Sequence, residues 1–178
     1  MSRAEHPGPG RGAIESYRYA LHAGLDARQR LHDGLAHLPA LLPGCRHVTL
    51  STLGLSPAEG GIASDDTAQR CEDLQHLLGQ GPTVHALGTG HSVLSHDLRG
   101  ETRWPRWRHH VVTELQVTAV LAFPLRFQAR LVGALTLYSD RPGPLSDIDI
   151  ALLHALAAPL STVLAEARLD GHRSVQAA

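Results

Sequence analysis

The chain has 178 residues, the length of one domain, since domains usually run about 100–200 residues. Its 43% apolar and 19% charged residues describe a chain that buries a core and exclude wholesale disorder. The 16 cations, every one an Arg, oppose 17 acids, and the net charge of −1 excludes a strong field for nucleic acid or an anionic membrane. From the N-terminus, Met1 to Gly12 carries Pro7, Gly8, Pro9, Gly10 and Gly12 and reads as a disordered arm. Helical spacing begins with Ile14, Tyr17 and Leu21, pauses at Gly24, and resumes with Leu31, Leu35 and Leu38. Asp26 followed by Gln29 suits a cap for the second helix, and Pro43-Gly44 ends it.

The period then changes. His47 to Leu53 alternates and is β-branched, as a strand requires, and Gly60-Gly61 turns the chain into a short strand near Ile62-Ala63-Ser64. Asp66 to Leu78 is helical again, with Cys71, Leu74, Leu77 and Leu78 along one face. Gly79-Gln80-Gly81 breaks that helix, and Pro82 suits the first turn of a short one through Leu87. Ser92 to Ser95 reads as a strand and Arg103 to Leu115 as a helix. Val117 to Leu125 and Arg130 to Tyr138 form a hairpin turning near Gln128-Ala129. A long helix follows from Asp147 to about Arg168, capped by Ser146 with Asp149 three residues on, and Pro159 predicts a kink or break inside it. Ile148, Leu152, Leu156, Leu160, Val163 and Leu164 form its apolar stripe, widened by Leu153 and Ala157. This order predicts an α+β domain with a mainly antiparallel sheet of five to six strands. The folded domain is expected over 13–169, with a short tail at 170–178.

Four segments carry a resemblance: Gly81-Pro82 after a polar helix, Asp97-Leu98 with Arg103-Trp104-Pro105, Phe123-Pro124-Leu125, and Leu131 to Tyr138. In this order the chain resembles the GAF domains that open actinobacterial regulators of the GAF–ANTAR type, from about His32 to Arg168. The Arg-only basic residues, with abundant Ala, Gly, Pro and Leu, also fit a GC-rich bacterial genome. The resemblance implies a GAF-like central sheet with helices on both faces and the N- and C-terminal helices packed together. It further implies a cavity for an unidentified small molecule, a homodimer through the terminal helices, and a partner regulatory protein. Two departures qualify it. Thr83 stands where related domains often carry a Cys after Gly-Pro, and the chain stops at Ala178 without ANTAR helices, so direct RNA binding is not expected.

Asp97, Arg99, Arg103, Trp104, Trp107 and Phe123 are the candidate pocket residues, because an acid and arginines beside indoles orient a polar ligand against an apolar wall. The competing role is packing, with Pro105 starting the helix and Asp97 bonding nearby amides. The 13 His residues lack the tight paired spacing of a zinc site, and no metal ligand set is predicted, although the resemblance leaves haem ligation by a single His open. Cys45 and Cys71 are too few for a disulfide framework, and they do not match the cysteine pattern of the GAF branch that reduces free methionine sulfoxide. No phosphate loop, nucleophile elbow or zincin motif is present, so no catalytic residue is expected and the cofactor is left unassigned. No apolar run approaches the roughly 20 residues of a membrane span, nor is there a signal-peptide layout, and a soluble cytoplasmic protein is the expectation.

Overall fold

Successive side chains of a strand point to opposite faces, and here each face of one sheet carries its own core. The computed structural model describes residues 10–24, 26–42, 44–55, 61–143, 145 and 150–176, with backbone alone for 150 and 169–176. The elements among them are α1 (Arg11–His22), α2 (Ala27–Leu41), β1 (His47–Thr52), β2 (Gly61–Ala63), α3 (Asp66–Leu78) and α4 (Pro82–Thr89). They continue with β3 (Val93–Ser95), a 3-10 turn (Leu98–Gly100), α5 (Pro105–Thr113), β4 (Ala119–Phe127), β5 (Arg130–Ser139) and α6 (Ile150–Gln176). The five strands lie in the order β2-β1-β5-β4-β3 with every neighbouring pair antiparallel. The fold is α+β with helices on both faces. Helices α1 and α6 reach beyond the 13–169 range read from the sequence.

On one face, Val48 and Leu50 of β1, Ala119, Leu121, Phe123 and Leu125 of β4, and Leu135 and Leu137 of β5 meet α2 and α6. Helix α1 lies against α2 and α6, and the buried Tyr17 hydroxyl donates to the Leu156 carbonyl. Arg30 of α2 pairs with Glu166 of α6 over 2.7 Å. The terminal helices are therefore one packed unit. On the other face, Val120 and Ala122 of β4 and Tyr138 of β5 meet Cys71 and Leu74 of α3, Ala86 of α4, and Trp104, Trp107 and Val111 around α5.

Local chemistry sets the helix ends. Asp26 caps α2 by accepting from the Arg28 amide at 3.0 Å, but Gln29 does not reach back to it. The Gln29 amide instead donates to Asp33, one turn on, at 2.8 Å. Asp65 caps α3 through the Ala68 amide at 3.0 Å. Pro82 occupies the first turn of α4, where its missing N–H costs nothing. Helix α6 is not broken at Pro159. The Ala155 carbonyl loses its usual i+4 donor there, yet Ala155 is exposed, so water can satisfy it. The Ser146–Asp149 cap, Ile148 and most of the N-terminal arm lie outside the described residues. Among the described residues, no helix is long and apolar enough to cross a membrane.

Candidate functional site

The inner face of α3 differs from the one read off its leucines. Leu77 is 77% exposed, whereas Glu72 and Gln75 are buried beside Ala68, Cys71 and Leu74. The spacing 68, 71, 72, 75 is itself a helical stripe, so two polar side chains occupy core positions and face the sheet. Opposite them, the alternation of β1 and β5 sends Thr49, Ser51, Thr136 and Tyr138 to the same side. Thr83, just after Pro82 at the start of α4, closes the group from above.

These seven side chains form one hydrogen-bonded network. The Ser51 hydroxyl donates to Glu72 Oε1 at 2.6 Å. The Thr83 and Thr49 hydroxyls reach Glu72 Oε2 at 3.1 and 3.3 Å, and Gln75 Nε2 lies 3.2 Å from the same oxygen. Gln75 Nε2 also lies 3.0 Å from the Tyr138 hydroxyl, and the Thr83 and Thr136 hydroxyls are 2.8 Å apart. Burial pushes the Glu72 carboxyl above its ordinary range, and the hydroxyl donors oppose that shift. Burial, reinforced by the Glu72 charge, likewise raises the Tyr138 phenol. Every group around the carboxylate is a neutral donor, and no ion pair to Glu72 occurs among the described residues.

A cleft of about 80 Å³ opens above this network. Ser51, Glu72 and Thr83 line it together with Thr52, Gly61 and His76, and Leu55, Val84 and Leu87 form its apolar wall. Leu55 and Val84 are 41% and 40% exposed, which leaves the wall open to solvent.

The structure does not gather the six sequence-derived pocket residues at this cleft or around any one cavity. Asp97 and Arg99 form a surface pair at 2.6 Å, and the Asp97 carboxylate also accepts from the Arg99 amide at 3.0 Å. Arg103 pairs with Glu101 at 2.5 Å and lies 4.4 Å over the Trp104 ring. Trp104 and Trp107 are buried edge-to-face, and Trp107 Nε1 donates to the Cys71 carbonyl at 3.0 Å, bracing α3 from behind. Phe123 points to the other face of the sheet, because on β4 it shares the parity of Leu121 and Leu125. There it stacks edge-to-face on His154 beside a second, wider cleft between β4 and α6, of about 440 Å³.

Neither cysteine lines the cleft. Cys45, before β1, is buried with its thiol pushed up to about 12 by desolvation, and burial also raises Cys71. Both are free thiols. Among the described residues, no three His, Cys, Asp or Glu side chains gather as a metal site.

The sequence model of one family, the GAF domain, matches residues 25–165. No curated protein sequence matches the chain. Among solved structures, the chain is similar to the GAF domain of an Acinetobacter phosphoenolpyruvate-protein phosphotransferase at 15% identity, with 92% of this chain and 99% of that one covered and a TM-score of 0.61. It is similar to a free methionine-R-sulfoxide reductase from Neisseria meningitidis, solved with its substrate, at 16% identity, with 95% and 99% covered and a TM-score of 0.62. A third likeness is to CepR2 of Burkholderia cenocepacia, an N-acylhomoserine lactone dependent transcription factor, at 15% identity, with 88% and 90% covered and a TM-score of 0.52. At these identities the likenesses establish a shared fold.

Proposed function

Because the chain belongs to the GAF domain family, we propose that it is a sensory module whose cleft beside Glu72 takes a small molecule and passes the signal through its terminal helices. One observation carries this reading. Ser51 of β1, Glu72 of α3 and Thr83 of α4 come from three separate elements and converge on one cleft with an apolar wall. Convergent polar groups beside apolar surface are the usual construction of a small-molecule site. Trp107 serves this site as a brace behind α3, Trp104 packs against it, and Phe123 serves the helical face.

Strand β5 supports a route for the signal. Thr136 and Tyr138 face the network while Leu135 and Leu137 face α2 and α6. A ligand that favours one position of β5 biases the helices only by its differential affinity for the two arrangements. The exposed row Ala151, Ala155 and Ala158 on α6 supports a homodimer through the terminal helices or docking of a partner regulator. The likeness of the Gly81-Pro82, Asp97-Leu98 to Pro105, Phe123 to Leu125 and Leu131 to Tyr138 segments to those of actinobacterial GAF–ANTAR regulators supports a proposed role in cytoplasmic transcription regulation. The module is proposed to be non-catalytic, since both thiols are buried with raised pKa values and Thr83 follows Gly81-Pro82.

Native mass spectrometry and thermal melts against a metabolite library test the reading. A binder should raise the melting temperature steadily with its free concentration, even beyond saturation of the site. A monomer that no metabolite stabilises would overturn it. Reduction of free methionine sulfoxide, lost in Cys45→Ser or Cys71→Ser, would overturn the non-catalytic part.

A further inference from the structure

The two oxygens of Glu72 are not equally supplied. Oε2 has Thr49, Gln75, Thr83 and, at 3.5 Å, Tyr138 around it. Among the described residues, Oε1 accepts from Ser51 alone. A carboxylate oxygen takes about two donors, so Oε1 keeps an acceptor position without a donor among the described residues. Ser51, Glu72 and Thr83 all line the cleft, so the carboxylate lies along its lining, with Ser51 on the Oε1 side.

Once ionised, the Glu72 carboxylate is met only by neutral donors among the described residues. A buried anion held only by neutral donors keeps most of its desolvation cost, and an added cation would remove it. His76 is the other ionisable group lining the cleft, and it is exposed. The ligand that completes this arrangement is small, carries a positive hydrogen-bond donor, and has an apolar part to cover Leu55, Val84 and Leu87. An ammonium head with a few carbons is in scale with a cleft of about 80 Å³.

We infer that the cleft selects a primary ammonium compound with a short aliphatic tail, its nitrogen donating to Glu72 Oε1 and its tail lying along Leu55, Val84 and Leu87. This rests on the small-molecule reading above and names its ligand class. A cation of this kind offsets the Glu72 charge, donates where Ser51 cannot, and covers the exposed wall. A carboxylate of the same size would face the buried anion directly and be rejected.

The test is an amide NMR titration of the wild-type protein with n-butylammonium, n-butanol and butyrate at matched ionic strength. Butylammonium should shift the Gly61, Thr83 and Val84 signals saturably and bind about tenfold or more tighter than butanol, with butyrate inert. Glu72→Gln should abolish that preference while leaving the spectrum folded. If Glu72→Gln does not fold, the three wild-type arms decide alone. Butanol or butyrate binding at the same signals as tightly as butylammonium would overturn the ammonium inference and leave the small-molecule reading standing. The absence of saturable shifts with butylammonium would also overturn the inference. The small-molecule reading falls as well only if the metabolite library stabilises nothing.

Discussion

The Thr83 amide donates to Gln75 Oε1 over 2.7 Å, and Gln75 Nε2 donates back to the Thr83 hydroxyl over 2.9 Å. The pair joins α3 to the first turn of α4, where a helix amide has no partner of its own. Gly81 sits against the same side chain at φ +150°, and a methyl group there would collide with Gln75. Gln75→Leu keeps the volume but strands the buried Thr83 amide, and should cost about 2 kcal/mol in urea unfolding. Gly81→Ala should cost at least as much. A loss for Gln75→Leu within about 0.5 kcal/mol would show that α4 is held by other contacts.

Close approach decides a second position. A methyl group on Gly133 of β5 would run into the Ser51 backbone carbonyl and come within 2.7 Å of Leu164 Cδ2. Backbone on one side and α6 on the other leave no room to relax. Gly133→Ala should therefore destabilise the domain by about 3 kcal/mol, the upper part of the range for overpacking. Thermal or urea melts measure this directly. The same variant should disturb β5 next to both the cleft and α6.

The β4–β5 hairpin turns through Gln128 and Ala129 with φ of 47° and 65°. Both residues are left-handed, as a two-residue hairpin wants, but neither is of the type that adopts this shape easily. Gln128→Asn with Ala129→Gly should stabilise the protein by about 1 kcal/mol. The gain should appear as a higher urea midpoint with an unchanged slope.

Glu72 and Glu101 should respond to pH in opposite senses. Burial raises the folded-state Glu72 carboxyl, so its contribution to stability is complete below the ordinary Glu range of about 4.3 and is lost as pH rises through the raised value. Glu101 is held down to about 2 by its hydrogen bonds from Arg103. Its contribution is present above the ordinary range and is lost as pH falls toward about 2. Melts from acid to neutral pH should thus show Glu72→Gln gaining on the wild type as pH rises. The penalty of Glu101→Gln should shrink as pH falls. Two parallel curves would refute the assignment of either shift.

Much of the fold is legible because it depends on local periodicity. The alternation of His47 to Thr52 and Arg130 to Ser139, the Asp26 cap and Pro82 at a first helical turn are each written within a few residues. The Asp97–Trp107 segment reads as a candidate pocket because its charges and indoles are adjacent in sequence. In the structure those charges pair with each other at the surface, and the indoles turn inward to pack.

The buried polar network lies elsewhere. Glu72 and Gln75 stand one turn apart on a helix whose leucines suggested a different face, and a charged residue on the stripe of Ala68 and Cys71 was the available signal. By itself the sequence determined the class of fold, the order of its elements and the family, since these follow from spacing and from short ordered segments. Only the tertiary structure decided which polar residues meet. The register of β1 on β5 sets Thr49 opposite Thr136, and the packing of α3 on β1 brings Glu72 against Ser51. Contacts between residues 21 or more positions apart depend on how elements pack, and no local pattern records that.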